Sequence, residues 1–117
     1  MSEPVEDSIF SKIVRREIPA DIVFENERLI VIRDIAPQAP VHLLVIPKEA
    51  TYPNVATLAE HDPALLAEVI ATAQAMADQF ATGEYRLVFN SGASAGQTVF
   101  HVHAHVLCGH LGESHLA

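Results

Sequence analysis

One eight-residue segment near the C-terminus constrains this chain more than any other. It spans residues 100–107 and reads Phe-His-Val-His-Ala-His-Val-Leu, so histidines alternate with apolar residues. Successive side chains of a β-strand point to opposite faces. The pattern therefore predicts a strand with an apolar face toward the core (Phe100, Val102, Ala104 and Val106) and a face of titratable rings toward a cleft (His101, His103 and His105).

The residues alone leave three interpretations of this histidine row open. The rings could be plain surface residues, although three in strict alternation are improbable by chance. They could bind zinc, but same-face residues lie about 6.7 Å apart along a strand, so His101 and His105 would lie about 13 Å apart at Cα and would share one tetrahedral ion only awkwardly. The third interpretation is a catalytic row, in which a neutral imidazole attacks phosphorus and its neighbours handle protons. We favour the catalytic row.

Three further features could belong to the same site. His42 alternates with apolar neighbours on another predicted strand, although a single strand histidine is more often structural. Asn90 ends a predicted strand, where its amide could bind a sugar or phosphate oxygen or could simply begin the turn. The segment Gly96-Gln97-Thr98 supplies backbone amides and a hydroxyl, the groups that form anion pockets, but a short glycine loop by itself is weak support.

Hydrophobic periodicity predicts an α+β fold with an antiparallel sheet covered on one face. A short helix capped by Ser8 is expected to end at Pro19, and a long helix is expected to begin at Asp62-Pro63 and to stop near Gly83. The long helix should bury one face, formed by Leu66, Val69, Ile70, Ala73, Ala77 and Phe80. Five strands are expected: Ile22–Glu25, Leu29–Arg33, 41–46, 84–90 and 99–107.

Composition and charge exclude several classes of protein. The 117 residues, half of them apolar, are enough for one folded domain behind an acidic and flexible tail at residues 1–7. The net charge of −8 disfavours nucleic-acid binding but leaves single nucleotides possible, since a few amides and imidazoles can hold one phosphate. There is no apolar run of membrane-spanning length and no signal peptide, and Cys108 is alone. We therefore expect a cytoplasmic protein without membrane or nucleic-acid partners.

Several segments together resemble the Hint branch of the histidine triad superfamily. Residues 101–107 have the superfamily's form, in which three histidines alternate with apolar residues and one more apolar residue follows. The resemblance covers residues 8–109 and rests on motifs that are highly specific in combination: Ile9–Val14, 17–20, 34–40, 42–48 and 96–103.

The resemblance implies a fold and an activity. The fold is a five-stranded antiparallel sheet with two helices, in a homodimer whose two sheets join into one. The activity is hydrolysis of purine nucleoside 5′-phosphoramidates and related acyl-adenylates, with no metal or other cofactor. His103 would be the nucleophile and would carry the nucleotidyl group, while His101 and His105 would orient it and contact the phosphate. His42 would support the proton network.

The resemblance also implies a nucleotide pocket. Asp34 would bind the ribose hydroxyls, although it could equally cap a turn. An apolar group would hold the nucleotide: Ile9, Phe10, Ile13, Ile32, Ile35 and Leu44. A second group would surround the phosphate: Asn90, Gly96, Gln97, Thr98 and Val99. From composition alone, Ile9, Phe10 and Ile13 are core residues, and only the resemblance places them in the pocket.

The sequence departs from the family pattern at four positions and in its C-terminal tail. Many bacterial relatives carry two cysteines and a histidine that form a structural zinc site with the first histidine of the triad, whereas Ser8, Ser11 and Ala50 stand at those positions here. Hydroxyls are poor zinc ligands, so no structural metal is predicted. Thr98 replaces a common serine, and the C-terminal tail diverges from that of the eukaryotic relatives after Leu107, which leaves the leaving group of the substrate open.

Three rival functions remain. A dinucleoside polyphosphate hydrolase would share the triad, but the segment 34–40 resembles the Hint branch more closely. A non-catalytic nucleotide-binding protein would use the same pocket without needing a nucleophile such as His103. A metal-binding protein would use the histidine row as ligands.

Overall fold

The computed structural model describes residues 8–111. The flexible tail predicted at residues 1–7 lies outside the described residues, as does the end of the predicted 8–117 domain, residues 112–117. Within the described part of the chain, no helix is long and apolar enough to cross a membrane.

The described residues contain one five-stranded antiparallel sheet, which confirms the predicted fold class. Its strands are β1 (Ile22–Glu25), β2 (Leu29–Arg33), β3 (Val41–Pro47), β4 (Arg86–Val88) and β5 (Ala104–Cys108). They lie in the order β1-β2-β3-β5-β4, so β3 and β5 are central neighbours. Each pair is antiparallel. This order brings the two strands that carry predicted site histidines side by side.

Two predicted strands are shorter than expected. β4 covers only three residues of the predicted 84–90, and β5 begins at Ala104 instead of Val99. The β3–β5 register places Val45 opposite Ala104, and continuing it would set residue 102 opposite Pro47, which has no amide proton to donate. The amide of Val102 instead donates to the Tyr52 carbonyl at 2.9 Å. Residues 99–103 therefore turn away from the sheet.

Both predicted helices are present, and a third, short helix lies between them in the described chain. The helices are α1 (Ile9–Val14), α2 (Val55–His61) and α3 (Pro63–Phe80), with a 3₁₀ turn at Ala93–Ala95. The Asn54 side chain caps α2, and Asp62 then caps α3, with proline at its first position as predicted. Ser8 caps α1 as predicted, but α1 ends before Arg16, whose φ of 63° is left-handed, and not at Pro19.

Apolar side chains pack on both faces of the sheet, which corrects the expectation that only one is covered. The larger core lies under α2 and α3 and contains Val45, Val69, Val102 and Cys108. On the opposite face α1 packs Phe10 and Ile13 against a second buried cluster, completed by Ile30, Ile32, Leu44 and Ile46. Cys108 is thus a buried thiol, and burial raises its pKa above the ordinary value.

The buried face of α3 is rotated from the predicted one. Val69, Ala73 and Ala77 are buried as expected, but the remaining buried positions are Leu65, Thr72 and Met76. Ile70 is 41% exposed, and Leu66 and Phe80 are only partly buried against the core. Leu65, in the first turn after the Asp62 cap, is the first buried residue of α3. The buried residues then follow at spacings of three and four along the helix.

Candidate active site

His42 and His105 face each other across two neighbouring strands. β3 pairs with β5 so that His42 lies opposite Leu107 and His105 lies opposite Leu44. Opposed residues of an antiparallel pair point to the same face. The two rings therefore meet on the α1 side of the sheet, with His42 Nε2 3.0 Å from His105 Nδ1.

His103 and His101 extend this row beyond the end of β5. The centroids of the His103 and His105 rings lie 5.2 Å apart, and the Phe10 ring of α1 makes T-shaped contacts with both His101 and His103. The three histidines of the segment therefore lie on one side of the chain, as predicted, although only His105 belongs to the strand. Phe100 was predicted to face the core and is instead 53% exposed, because it lies in the bend before β5.

The hydrogen bonds of His101 determine which of its nitrogens carries the proton. Its Nε2 lies 2.6 Å from the carbonyl oxygen of Pro47, which can only accept, so Nε2 must carry the hydrogen. In the neutral ring Nδ1 is then an acceptor, and the Ser8 hydroxyl lies 2.7 Å from it. The ring is only 1% exposed, and both of its nitrogens are satisfied.

His103 is fixed in the opposite tautomer by the backbone of His101. Its Nδ1 lies 2.8 Å from the His101 carbonyl oxygen, so Nδ1 carries the hydrogen and donates it. The other nitrogen, Nε2, therefore keeps a free lone pair in the neutral ring. A lone pair held in this way on a half-buried imidazole is suited to nucleophilic attack.

A second chain of hydrogen bonds places the hydrogen of the His105 ring on Nε2. The Gln38 amide donates to His42 Nδ1 at 3.0 Å, so the neutral His42 ring carries its hydrogen on Nε2. That hydrogen is directed at His105 Nδ1, with Asp34 Oδ2 as a second neighbour at 3.4 Å. His105 therefore holds its own hydrogen on Nε2. The row thus presents a lone pair on His103 next to an N–H donor on His105.

Burial keeps all four rings neutral near pH 7. It is the main cause that lowers the pKa of His42, His101 and His103 below the ordinary value, while Asp34 opposes the shift at His42 and His103. Burial also lowers the pKa of His105 to about 4, and the adjoining His103 and His42 act in the same direction. The tautomers assigned above are those of neutral imidazoles, which are the forms present at this pH.

The side chains of Asp34, His42 and His105 are close enough to hold a metal ion, but the tautomer of His42 opposes it. One potential ligand atom from each lies within 4.8 Å of the other two. A metal on His42 Nε2 would move the ring hydrogen to Nδ1, where it would face the N–H of Gln38. Two donors would then oppose each other. The geometry favours a proton network at this cluster over a metal site.

The loop before the histidine row is shaped by two glycines in left-handed conformation. Gly92 and Gly96 both have φ of 92°, and the amides of Ala95, Gly96 and Gln97 bond within the intervening 3₁₀ turn. The Gln97 side chain is buried and bonds to the backbone of Gly92, Pro53 and Val99. Only the main chain of Gln97 could therefore meet a ligand.

The next two backbone amides are also free to bind an anion. Within residues 8–111 the amides of Thr98 and Val99 donate no backbone hydrogen bond, and the Thr98 side chain is exposed. The Asn90 amide lies beside the loop, with Nδ2 3.5 Å from the position that a Cβ would take on Gly96. Asn90 thus lies beside Gly96, and Thr98 and Val99 follow closely in the chain. That these residues surround a phosphate stays a prediction.

Asp34 has the turn-capping role that the sequence left open, and its binding of the ribose stays a prediction. Its Oδ1 accepts the Ala36 amide at 2.8 Å and so caps a turn, while Oδ2 faces His42. Among the apolar pocket candidates, four are buried in the second core cluster: Phe10, Ile13, Ile32 and Leu44. Ile9 is exposed at 46%, and Ile35 is exposed at 97% next to Asp34. Their contact with a nucleotide stays a prediction.

Sequence reasoning did not identify four groups that fix the histidine tautomers. The Gln38 amide, the Pro47 carbonyl and the His101 carbonyl are backbone groups, which no residue type reveals. Ser8 was identified only as a helix cap. Ser8 stands where many bacterial relatives have a cysteine that shares a zinc ion with the first histidine of the triad. That correspondence was the one signal in the sequence that Ser8 lies near His101.

The five-stranded α+β fold and the row of histidines at its central strands together indicate a class of protein. The sequence profile described as HIT domain matches residues 15–111, and the chain therefore belongs to the HIT family, named for its histidine triad. It is 52% identical over 105 residues to an uncharacterized HIT-like protein of Synechococcus elongatus, covering 89% of this chain and 91% of that protein.

Two further relatives bear on activity. A purine nucleoside phosphoramidase of Escherichia coli K12 is 46% identical over 107 residues, which is 89% of this chain and 88% of that enzyme. The solved structure of a HIT family hydrolase from Clostridium thermocellum matches with a TM-score of 0.88 and 43% identity, over 97% of this chain and all of that one. The fold thus matches that of HIT family hydrolases.

Proposed function

We propose that this protein hydrolyses purine nucleoside 5′-phosphoramidates, and related acyl-adenylates, through a nucleotidyl–His103 intermediate. The observation that carries the proposal is the bond from His103 Nδ1 to the His101 carbonyl, which leaves the Nε2 lone pair free for attack. The E. coli relative named purine nucleoside phosphoramidase supports the class of substrate.

In the first step His103 displaces the amine. The Nε2 lone pair forms a bond to phosphorus, the bond from phosphorus to the amine nitrogen breaks, and the amine leaves with a proton taken from water. His103 keeps its Nδ1 hydrogen and becomes a positively charged phosphorylated imidazole. The His101 carbonyl 2.8 Å away accepts that hydrogen more strongly as the charge develops. The Nε2–H of His105 donates to a phosphoryl oxygen and offsets its negative charge.

In the second step water releases the nucleotide. A water oxygen bonds to phosphorus, the bond to His103 Nε2 breaks, and the water returns one proton to solvent. The nucleoside monophosphate leaves and His103 regains its neutral form. The proton taken up in the first step balances the one released in the second. Neither step calls for a metal ion, in line with the tautomer of His42, which disfavours metal binding at the cluster.

We further propose that Thr98 and Val99 hold the phosphate, with Asn90 and Gly96 beside them. Two backbone amides and a hydroxyl at the end of a glycine loop can bind one phosphate without a basic patch, which suits a chain with a net charge of −8. Asp34 would bind the ribose, and the apolar group around Phe10 and Ile32 would hold the base.

The protein is also proposed to work in the cytoplasm as a homodimer whose sheets join. The described sheet has β1 and β4 at its edges. Light scattering at micromolar concentration should show a dimer, and a monomer would contradict this part of the proposal.

Turnover of a fluorogenic adenosine or guanosine 5′-phosphoramidate in the presence of EDTA tests the function. The wild-type protein should hydrolyse this substrate. His103→Asn should lose at least about 1000-fold in kcat but bind AMP nearly as tightly as the wild type, because only the nucleophile is removed. Near-normal turnover by His103→Asn would refute the assignment of the nucleophile.

Diadenosine triphosphate serves as the comparison substrate. Faster hydrolysis of this compound than of the phosphoramidate would instead support a dinucleoside polyphosphate hydrolase. Tight AMP binding without turnover of either compound would support a nucleotide-binding protein.

A further inference from the structure

We infer that Ser8 is a positioning residue for the reaction, because the hydroxyl that caps helix α1 also holds the His101 ring that orients the nucleophile. The inference rests on the proposed function and extends it to a residue outside the histidine row. It links the start of α1 to His103 through one side chain and one backbone carbonyl.

The Ser8 hydroxyl makes two hydrogen bonds of opposite direction. Its oxygen accepts the Ser11 amide at 3.0 Å, which caps the helix, and lies 2.7 Å from His101 Nδ1. His101 Nδ1 is an acceptor, since the ring's hydrogen is on Nε2 and bonds to Pro47. The single hydroxyl hydrogen therefore points at His101. The Ser11 hydroxyl, at 3.3 Å, is the more distant neighbour.

The His101 ring depends on this bond because it is completely enclosed. The ring has Pro47 on one nitrogen, Ser8 on the other, and the edge of Phe10 against it. Without the hydroxyl, a buried acceptor would be left unsatisfied, which is unfavourable. Rotation of the ring would relieve that loss but would break the bond to Pro47.

Movement of His101 would reach the nucleophile directly. The carbonyl that fixes the His103 tautomer belongs to the same residue, 2.8 Å from His103 Nδ1. A shift of that carbonyl would weaken the bond that holds Nδ1–H and would change the direction of the Nε2 lone pair. Reaction rates are sensitive to such displacements, since an error of about 1 Å in position can lower a rate about 100-fold.

Three substitutions at Ser8 separate its two hydrogen bonds. Ser8→Thr keeps the cap and the hydroxyl. Ser8→Ala removes both. Ser8→Asp keeps a good helix cap but replaces the donor by a carboxylate, which can only accept, so that His101 Nδ1 must carry a proton and the ring becomes an imidazolium.

Asp62→Ala is the matched control, because it removes the cap of α3 at a distance from the histidine row. Ser11→Ala is a second control, which removes the neighbouring hydroxyl and keeps the backbone amide that Ser8 caps.

The test measures kcat and KM for an adenosine phosphoramidate, together with ¹⁵N NMR spectra of the histidine rings. Ser8→Ala and Ser8→Asp should lose about 10-fold to 100-fold in kcat with little change in KM. Ser8→Thr, Ser11→Ala and Asp62→Ala should stay within about threefold of the wild type. The ¹⁵N spectra should show a neutral His101 with Nε2–H in the wild type and a doubly protonated ring in Ser8→Asp.

Two results would overturn the inference while leaving the proposed function intact. One is an active wild type with kcat of Ser8→Ala and Ser8→Asp within threefold of it. The other is a loss of kcat in Asp62→Ala equal to that in Ser8→Ala, which would make the effect one of stability alone. If the wild type itself does not hydrolyse the phosphoramidate, the proposed function fails. If the NMR spectrum of the wild type shows His101 protonated on Nδ1, the hydrogen-bond assignment is wrong, whatever the activity.

Discussion

At the scale of single residues, backbone groups fix the protonation of the site histidines more than charged side chains do. The Pro47 carbonyl, the His101 carbonyl and the Gln38 amide each bind one ring nitrogen. Such groups do not titrate, so each tautomer persists for as long as the ring is neutral. Asp34 is the one carboxylate near the row in residues 8–111, and its Oδ2 is 3.4 Å from His42.

The acid limb of the pH–rate profile follows from the pKa of the nucleophile. Burial lowers the pKa of His103, so the neutral and reactive form persists to a lower pH than in a free imidazole. We expect kcat/KM for a phosphoramidate to fall on the acid side with a midpoint below about 6.5, the ordinary value for histidine. A midpoint at or above that value would contradict the assigned environment of His103.

The sequence predicted the residues of the row but not how they are held. His42, His101, His103 and His105 were all identified, and the structure brings them together. The tautomers could not be predicted, because they depend on backbone groups from distant segments. Phe100 was misplaced because alternation in sequence continues beyond the point where Pro47 ends the pairing between β3 and β5.

At the scale of elements, loops and helix ends bring groups to the site that the strands cannot supply. The 3₁₀ turn places the Thr98 and Val99 amides at its exit, and α1 brings Phe10 and Ser8 to the rings. The bend at 99–103 turns away from the sheet and places the His101 ring against the Pro47 carbonyl. Helix α2 was not predicted because only Leu58 of its seven residues is buried, which leaves no apolar period to detect.

Gly96 should matter for binding because alanine is strained in its left-handed conformation. Among residues 8–111, a Cβ there would meet only Asn90 Nδ2, at 3.5 Å, so the strain would distort the loop and not the core. We expect Gly96→Ala to raise the KM of the phosphoramidate at least about fivefold. An unchanged KM would show that the loop does not hold the phosphate.

Gly83→Ala provides the control for this prediction. Gly83 has a similar φ of 89°, but it lies just after α3. Its substitution should lower the melting temperature at least as much as Gly96→Ala does, because its Cβ would also approach Asp78 Oδ1 to 2.8 Å, and it should have no effect on KM. A raised KM in Gly83→Ala would mean that the increase in Gly96→Ala comes from general destabilisation and not from lost phosphate binding.

At the scale of the whole molecule, the site lies on the less covered face of the sheet. The larger core under α2 and α3 fills the opposite face, while α1 covers only part of the face that carries the histidines. The sequence predicted the single sheet and the long helix because their periodicity is strong. It did not predict the second buried cluster, because Phe10 and Ile13 occupy only a six-residue helix.

The burial of four neutral histidines should make stability depend on pH. Their pKa values are lowered on folding, so below about pH 6.5 the unfolded chain binds more protons than the folded one. The free energy of unfolding should therefore fall as the pH decreases, by up to about 1.4 kcal/mol per pH unit for each histidine. For His105 the loss continues until the pH reaches the folded pKa of about 4.

Urea unfolding between pH 7 and pH 5 measures this dependence. His105→Gln should show a smaller decrease across the interval than the wild type, since one titrating ring is removed. A free energy of unfolding that stays constant or rises as the pH falls through 6.5 would contradict the burial of neutral rings at the site.

The stereochemistry at phosphorus tests the covalent route through His103 most directly. The substrate is an adenosine phosphoramidate made chiral by sulfur at phosphorus, hydrolysed in ¹⁸O-labelled water. Each in-line displacement inverts the configuration, so attack by His103 followed by attack of water should give overall retention. Overall inversion would mean that water attacks the substrate directly, and that His103 does not carry the nucleotidyl group.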